Sequence, residues 1–359
     1  MEVQISELLA KVVGFGASDL HLSVDLPPCI RIDGDLRAAD SYPVLTTADV
    51  DRIIAELLTP SQYETFKKNH DYDFTYAYNP TDGQPARFRG NCFYEMGEPT
   101  LALRLIPIRI RTIDELGLPK VLHEVAQKRR GLFLVTGPTG HGKTTTLAAV
   151  IEEINRTRYE HIVTIEDPVE YVYRSDKCVV HQRQVGFDTA SFTSALRYVL
   201  RQDPDVILIG EMRDLETIAA AITAAETGHF VLATLHTQDA AQSIDRMIDV
   251  FPPFQQQQIR IQLASVLVGI CSQQLIPIPG GGRVVGTEVL IASSAVRNCV
   301  KEGKTNQIKT LIQTGVGLGM HTMEQSLADK VNDGILPMEV AMTYAYDPKD
   351  LQRILFGRA

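Results

Sequence analysis

No apolar stretch of this chain approaches the roughly 18 to 20 residues that a membrane span needs. The amino terminus, Met1-Glu-Val-Gln-Ile-Ser-Glu7, has no basic segment ahead of an apolar one. A cytoplasmic protein is therefore expected. Cysteine is scarce: Cys29, Cys92, Cys178, Cys271 and Cys299 are odd in number, lie far apart and form no Cys-x-x-Cys pair. That argues for reduced thiols and against a disulfide or zinc framework. Positive charge is not in excess either, because 35 basic against 44 acidic residues leave −9, so general attraction to nucleic acid is not expected. Internal repeats and low-complexity tracts are missing, and 44% hydrophobic with 22% charged residues argues against long disordered tails.

What is present divides near residue 112. At a prior of about 150 residues per domain, 359 residues suggest two domains. The first segment mixes short helix and strand signals. Apolar residues at 5, 8, 9, 12 and 13 mark one helical face, and Asp19 to Val24 alternates as a strand. Ile30 to Leu36 reads as a strand entering an Asp33-Gly34 turn. A helix capped by Thr46 or Thr47 would run to a stop at Pro60, with strands after it at Tyr72–Tyr78, Ala86–Tyr94 and Thr100–Ile106. The expected organisation is a small α/β domain over residues 1–106, a linker over 107–118 and a second domain over 119–359. From Leu132 onward short apolar strands alternate with helical stretches, the rhythm of a parallel sheet covered by helices.

The second segment carries the chemistry. Leu132-Phe-Leu-Val-Thr136 reads as a buried strand, Thr145 to Ile151 as a helix, and between them stand Gly137, Pro138, Thr139, Gly140, His141, Gly142, Lys143 and Thr144. This is a phosphate-binding loop in its required context, in which curled backbone N–H groups and a helix amino terminus face the phosphates. Residues Gly137 to Thr145 are the expected nucleotide-binding set, with Lys143 reaching the β and γ phosphates of ATP and the Thr144 hydroxyl on Mg²⁺.

In an open parallel sheet the ligand lies beyond the carboxyl ends of the strands. His161 to Ile165 ends in Glu166-Asp167-Pro168-Val-Glu170, Val206 to Ile209 ends in Gly210-Glu211, and Phe230 to Leu235 ends in His236. Glu211 is the candidate that orients or deprotonates the attacking water, because Asp205 precedes its strand and would lie at the far end, roughly 13 to 20 Å away. Glu166, Asp167 and Glu170 are candidates to hold Mg²⁺ through its waters. His236 is a candidate sensor of the γ-phosphate. His229, seven residues earlier, falls on the opposite end and face of that strand, as a sensor or a structural residue.

Gly315 to Gly319 follows no strand signal, and Pro279 to Gly282 reads as a hairpin tip, so neither suggests a second nucleotide. No small-molecule acceptor site is evident, which points to ATP hydrolysis driving movement. Arg89 and Arg104, on strands outside the nucleotide domain, are candidates to act on the phosphates of a neighbouring subunit, against the plainer reading of surface arginines on a half-buried sheet.

Taken together, these elements resemble the retraction ATPases of type IV pili, the PilT family of the type II/IV secretion ATPase superfamily. The resemblance rests on Ala17-Ser-Asp-Leu-His-Leu22 with Pro27-Pro28 and Arg31-Ile-Asp-Gly34, the phosphate loop, and Glu166 to Glu170 as the family's Asp box. It rests further on Arg201 to Asp214 as the Walker B segment and Thr223 to Thr237 as the His box. Ala295-Val-Arg-Asn-Cys-Val-Lys-Glu302 is similar to the Ala-Ile-Arg-Asn-Leu-Ile-Arg-Glu element associated with retraction. The resemblance implies a PAS-like α/β amino-terminal domain joined to a RecA-like P-loop ATPase domain with carboxy-terminal helices. It also implies a homohexamer, docked on the inner-membrane platform protein of the pilus machine and acting indirectly on the pilin filament. That would make it a cytoplasmic protein peripherally associated with the inner membrane.

The sequence departs from the family at His141, where Ser is usual and the side chain is expected at the loop tip, and at Cys299, Val300 and Lys301. Alternatives within the superfamily are an accessory retraction, pilus assembly or type II secretion ATPase, although the absence of a four-cysteine zinc insert disfavours assembly. From another class, a nucleotide-dependent scaffold without turnover would have no need of Glu211 beside Lys143. The 295–302 element reads as an amphipathic helix with Ala295, Val296, Cys299 and Val300 on its apolar face, either a relay to the pilus machine or simply core.

Overall fold

The apolar spacing at the amino terminus forms helix α1 (Ile5–Gly14), which buries Ile5, Leu8, Leu9 and Val12. The computed structural model describes residues 3–32, 34–39, 41–80, 86–106 and 109–357, and the chain separates into two units, Met1–Arg109 and Ile110–Ala359. In the first unit α1 is followed by β1 (Asp19–Leu22), β2 (Cys29–Ile32), β3 (Asp35–Ala38), α2 (Thr47–Leu57), α3 (Pro60–Asn69), β4 (Asp71–Tyr78), β5 (Ala86–Glu95) and β6 (Glu98–Ile106). The strands form one antiparallel sheet in the order β3-β2-β1-β6-β5-β4. Asp33 of the expected Asp-Gly turn lies outside the described residues. Thr46 caps α2 in a reciprocal capping box with Asp49. Pro60 does not merely stop that helix. It opens α3 at its first turn, where a missing N–H costs nothing, behind a second capping box of Thr59 and Gln62.

The second unit contains α4 (Val121–Ala126), β7 (Gly131–Thr136), α5 (Lys143–Thr157), β8 (His161–Glu166), β9 (Val179–Gln184), α6 (Phe192–Val199) and β10 (Val206–Ile209). It continues through α7 (Leu215–Glu226), β11 (Phe230–Leu235), α8 (Ala240–Asp249), α9 (Pro253–Val266), β12 (Leu267–Pro277) and β13 (Arg283–Ile291). Five helices close it: α10 (Ser294–Glu302), α11 (Ile308–Thr314), α12 (Met323–Asn332), α13 (Met338–Tyr344) and α14 (Pro348–Phe356). The seven strands lie in the order β13-β12-β7-β11-β10-β8-β9, all parallel except β13, which returns as a hairpin partner of β12. β7 shows why its sequence is apolar throughout: Leu132 and Leu134 enter the core under one face of the sheet, while Phe133 and Val135 enter the core under the other.

The expected linker and the α10 stripe take definite form here. Of the stretch expected as a linker, residues 107 and 108 lie outside the described residues, Arg109 ends the first unit, and residues 110–118 are part of the second. Thr112 and Glu115 cap each other's backbone N–H, and Ile113 and Leu118 are buried with Leu122 and Val125. The apolar face of α10 is core: Val296, Cys299 and Val300 are buried with the sheet, whereas Ala295 is exposed. Arg297, on the other side, donates to the last carbonyls of α9 at Ala264 (2.5 Å) and Ser265 (2.8 Å), which leaves Asn298, Lys301 and Glu302 outward.

One buried acid near the sheet gives a stability prediction. Glu288 of β13 accepts the N–H of Ala240 at 2.9 Å, holding the amino terminus of α8, and burial pushes its carboxyl from 4.5 up to about 7 against that hydrogen bond. Asp239 and Glu324 add to the rise, and Lys309 opposes it. Because the folded chain keeps this proton to higher pH than the unfolded chain does, stability declines as pH rises through this window. The decline amounts to about 3 kcal/mol. Glu288→Gln retains an oxygen for Ala240 and has no proton to lose. Urea unfolding should find the variant close to the parent at pH 5 and about 2 to 3 kcal/mol more stable at pH 8; an unchanged difference between the two pH values would contradict this.

Candidate active site

Parallel register brings the strand ends to one edge. Thr136 of β7 is level with Leu235 of β11 and Ser272 of β12, and Ile209 of β10 is level with Ala233 and Ile165. Gly137, His236, Glu211 and Glu166 therefore leave the sheet at the same side. The turn after β10 is fixed by its neighbours. The Thr234 hydroxyl donates to the Gly210 carbonyl (2.5 Å), Met212 N–H to the Thr234 carbonyl (3.2 Å) and Gly210 N–H to the Ile165 carbonyl (2.8 Å). Glu211 is thus held between two pinned residues. Asp205, at the opposite end, accepts the N–H of His161 instead (2.9 Å).

The loop after β7 needs glycine where it passes β12. Gly137 has φ 142°, and a Cβ there would stand 2.3 Å from the Gln273 carbonyl oxygen. Gly142 has φ 82° and leads into α5, whose first residue is Lys143. Lys143 Nζ donates to the carbonyls of Gly137 (2.8 Å) and Pro138 (3.0 Å) and lies 3.5 Å from His236 Nδ1. Burial lowers its pKa, with the carboxylates of Glu211 and Glu170 opposing that. His141 is not free at the loop tip. Its ring accepts the N–H of Leu275 on β12.

His236 connects the lysine to the candidate base. Its Nε2 lies 2.7 Å from Glu211 Oε1, and its Nδ1 faces the Thr139 hydroxyl at 3.2 Å as well as Lys143. Nε2 thus donates to the Glu211 carboxylate, while Nδ1 is the ring atom turned to the phosphate loop. Arg213 closes the chain with two contacts to Glu211, Nε to Oε1 at 2.6 Å and a terminal nitrogen to Oε2 at 2.7 Å. Partial burial pushes the Glu211 carboxyl up, but Arg213 and His236 outweigh it and hold it below the usual carboxylate range. An ionised, well-paired Glu211 is a poor proton acceptor and a good anchor for an oriented water.

The expected Mg²⁺ carboxylates do not form one equivalent cluster. Glu166 is buried at the end of β8, where it accepts from the Thr164 hydroxyl (2.6 Å) and Gln182 Nε2 (3.2 Å), and burial raises its pKa. Asp167 and Glu170 are exposed. Among the described residues no three His, Cys, Asp or Glu side chains form a metal cage. Mg²⁺, which keeps its waters and uses few protein ligands, fits such a donor set. Of the three threonines opening α5, Thr145 is engaged with the Tyr171 hydroxyl (2.9 Å) and Thr146 with Gln273 Oε1 (2.8 Å), so the Thr144 hydroxyl is the one that would be available to such an ion.

Other candidates lie elsewhere. His229 sits at the start of β11, its Nδ1 2.9 Å from the Ala224 carbonyl, where it helps finish α7. In the first unit Arg104 Nε is paired with Asp19 Oδ1 (2.8 Å), and Asp19 lies 3.5 Å from Arg31. Cross-strand register sets Arg89 opposite Arg104, and both are exposed. Sequence reasoning missed Arg213, although it stands two residues after Glu211. It also missed Gln273, whose signal is a polar side chain within an apolar strand.

The chain matches the family model described as type II/IV secretion system protein over residues 4–308. It is 46% identical over 348 residues to the type IV pilus retraction ATPase PilT of Pseudomonas aeruginosa, covering 97% of this chain and all of that one. It is 42% identical over 325 residues to a twitching motility protein of Neisseria gonorrhoeae, covering 90% of this chain and 86% of the other. The solved structure of the pilus retraction motor PilT with bound ADP superimposes with a TM-score of 0.91 at 44% identity, covering 98% of this chain and all of that one. No helix among the described residues is long and apolar enough to cross a membrane. The chain belongs to the type II/IV secretion system protein family.

Proposed function

We propose that this chain is a motor ATPase that drives type IV pilus retraction as a hexameric ring. The observation that carries this reading is the unbroken line Lys143, His236, Glu211, Arg213 beside the phosphate loop. The loop N–H groups and the amino terminus of α5 receive the phosphates, and Lys143 exchanges its loop carbonyls for β- and γ-phosphate oxygens. Glu211 orients water towards the γ-phosphate, and His236, touching Thr139, Lys143 and Glu211 together, reports whether that phosphate is present. Thr144 and the outward carboxylates Asp167 and Glu170 would hold Mg²⁺, which would supply charge neutralisation on the phosphates. The relatives named for retraction and twitching support mechanical output, and docking on an inner-membrane platform protein through exposed side chains such as those of α10 follows the same reading.

The ring is required if arginine from one subunit serves the nucleotide of another. Arg104 is already committed to Asp19, so Arg89, exposed in the same row, is the cleaner probe. Arg89→Ala should still form rings yet lose about a hundredfold or more in turnover, and subunits carrying Lys143→Ala should poison the parent when mixed with it. Activity and particle mass measured together across a dilution series test this. Turnover per chain that stays constant into the monomer range would contradict the ring requirement.

A further inference from the structure

We propose that His141 is a positioning residue that fastens the outer arm of the phosphate loop to β12, and that this fastening is its contribution to nucleotide binding. The proposal rests on the nucleotide reading of the loop. β7 and β12 pair as far as Thr136 and Ser272, after which β7 gives way to the loop and the edge of β12 loses its strand partner. The loop takes over that edge with side chains. Leu275 N–H donates to His141 Nδ1 at 3.0 Å, and Gln273 Nε2 donates to the His141 carbonyl at 2.7 Å. Gln273 Oε1 in turn accepts the hydroxyl of Thr146 on the first turn of α5 at 2.8 Å. Gly137 passes against the Gln273 carbonyl, so the start, the middle and the end of the loop all bear on two residues of one strand.

A backbone N–H can only donate, so His141 Nδ1 must carry its lone pair and the ring must be neutral. Protonation would place two donors face to face and open the contact. Burial together with two cations, Lys143 on α5 and Arg283 on β13, lowers the pKa of the ring. At neutral pH the fastening is intact. It is lost as pH falls through the folded pKa of this histidine, and a correctly curled loop is then no longer held for the phosphates.

The test compares the full-length chain with His141→Asn, whose amide oxygen replaces Nδ1 as a non-titrating acceptor, and His141→Ala, which has no acceptor. The probe is Mg-ADP, measured by titration calorimetry from pH 8 down to the lowest pH at which the chain stays folded. At pH 8 His141→Asn should bind about tenfold more tightly than His141→Ala, because it keeps an acceptor for Leu275 N–H. As pH falls, the parent should weaken by up to about tenfold relative to His141→Asn, a ratio that cancels titration of the nucleotide itself. Should His141→Ala not fold, the parent-to-Asn ratio alone decides. Parallel profiles for parent and His141→Asn would overturn the proposal. So would a parent that tightens relative to His141→Asn in acid, because the ring would then act as a charge on the phosphates. A parent that binds no nucleotide at any pH would overturn the nucleotide reading itself.

Discussion

Lys143→Ala is expected to abolish ATP turnover and to weaken nucleotide binding in the same protein. The ammonium is buried, is directed by two loop carbonyls and lies against His236, so its position is set before any phosphate arrives. Hydrogen bonds to charged groups are worth about 1.5 to 3 kcal/mol each, and a preorganised donor removed from a developing charge typically costs about 10²- to 10³-fold in rate. Losing both should lower affinity by more than tenfold and turnover to background. Phosphate release and Mg-ATP titration on the purified variant, with its melting temperature as the folding control, measure the two losses separately. Turnover within tenfold of the parent would remove Lys143 from the chemistry.

Glu211→Gln should produce a different pattern, with binding retained and chemistry lost. The amide fills the same space and can still accept from one neighbour, so ATP affinity should stay within about threefold. It cannot hold water with a full charge, and it turns an NH₂ group towards Arg213, where the carboxylate had accepted two hydrogen bonds. A turnover loss of about 10²- to 10⁴-fold is expected for a positioned carboxylate of this kind. Single-turnover hydrolysis of prebound ATP isolates the step. A near-normal rate there would show that Glu211 only anchors Arg213 and His236.

The parts of this site that were legible in the sequence are those written contiguously. β7, the glycine loop and α5 adjoin in the chain, so residue order alone sets strand, loop and helix in place. Choosing Glu211 over Asp205 was possible because a strand has a direction and a fixed rise, and one residue stands after it and the other before. Strand order is another matter. Nothing local to residues 267–277 says that β12 lies beside β7, so the contacts of Gln273 and Leu275 with the loop emerged only from the assembled sheet. The apolar stripe of α10 was visible as a stripe, but its destination in the core depends on the sheet and α9 being in place. Pro60 shows a local ambiguity, since proline is equally at home after one helix and at the first turn of the next.

Pilus retraction in living cells tests the central claim most directly. Cells from which this chain has been deleted, complemented with either the parent or Glu211→Gln, can be followed by fluorescence as individual labelled pili shorten. The parent should restore shortening, and Glu211→Gln, present at equal level, should leave pili extended. Restored shortening with Glu211→Gln, or extended pili with a parent chain that hydrolyses ATP in the same cells, would contradict the account.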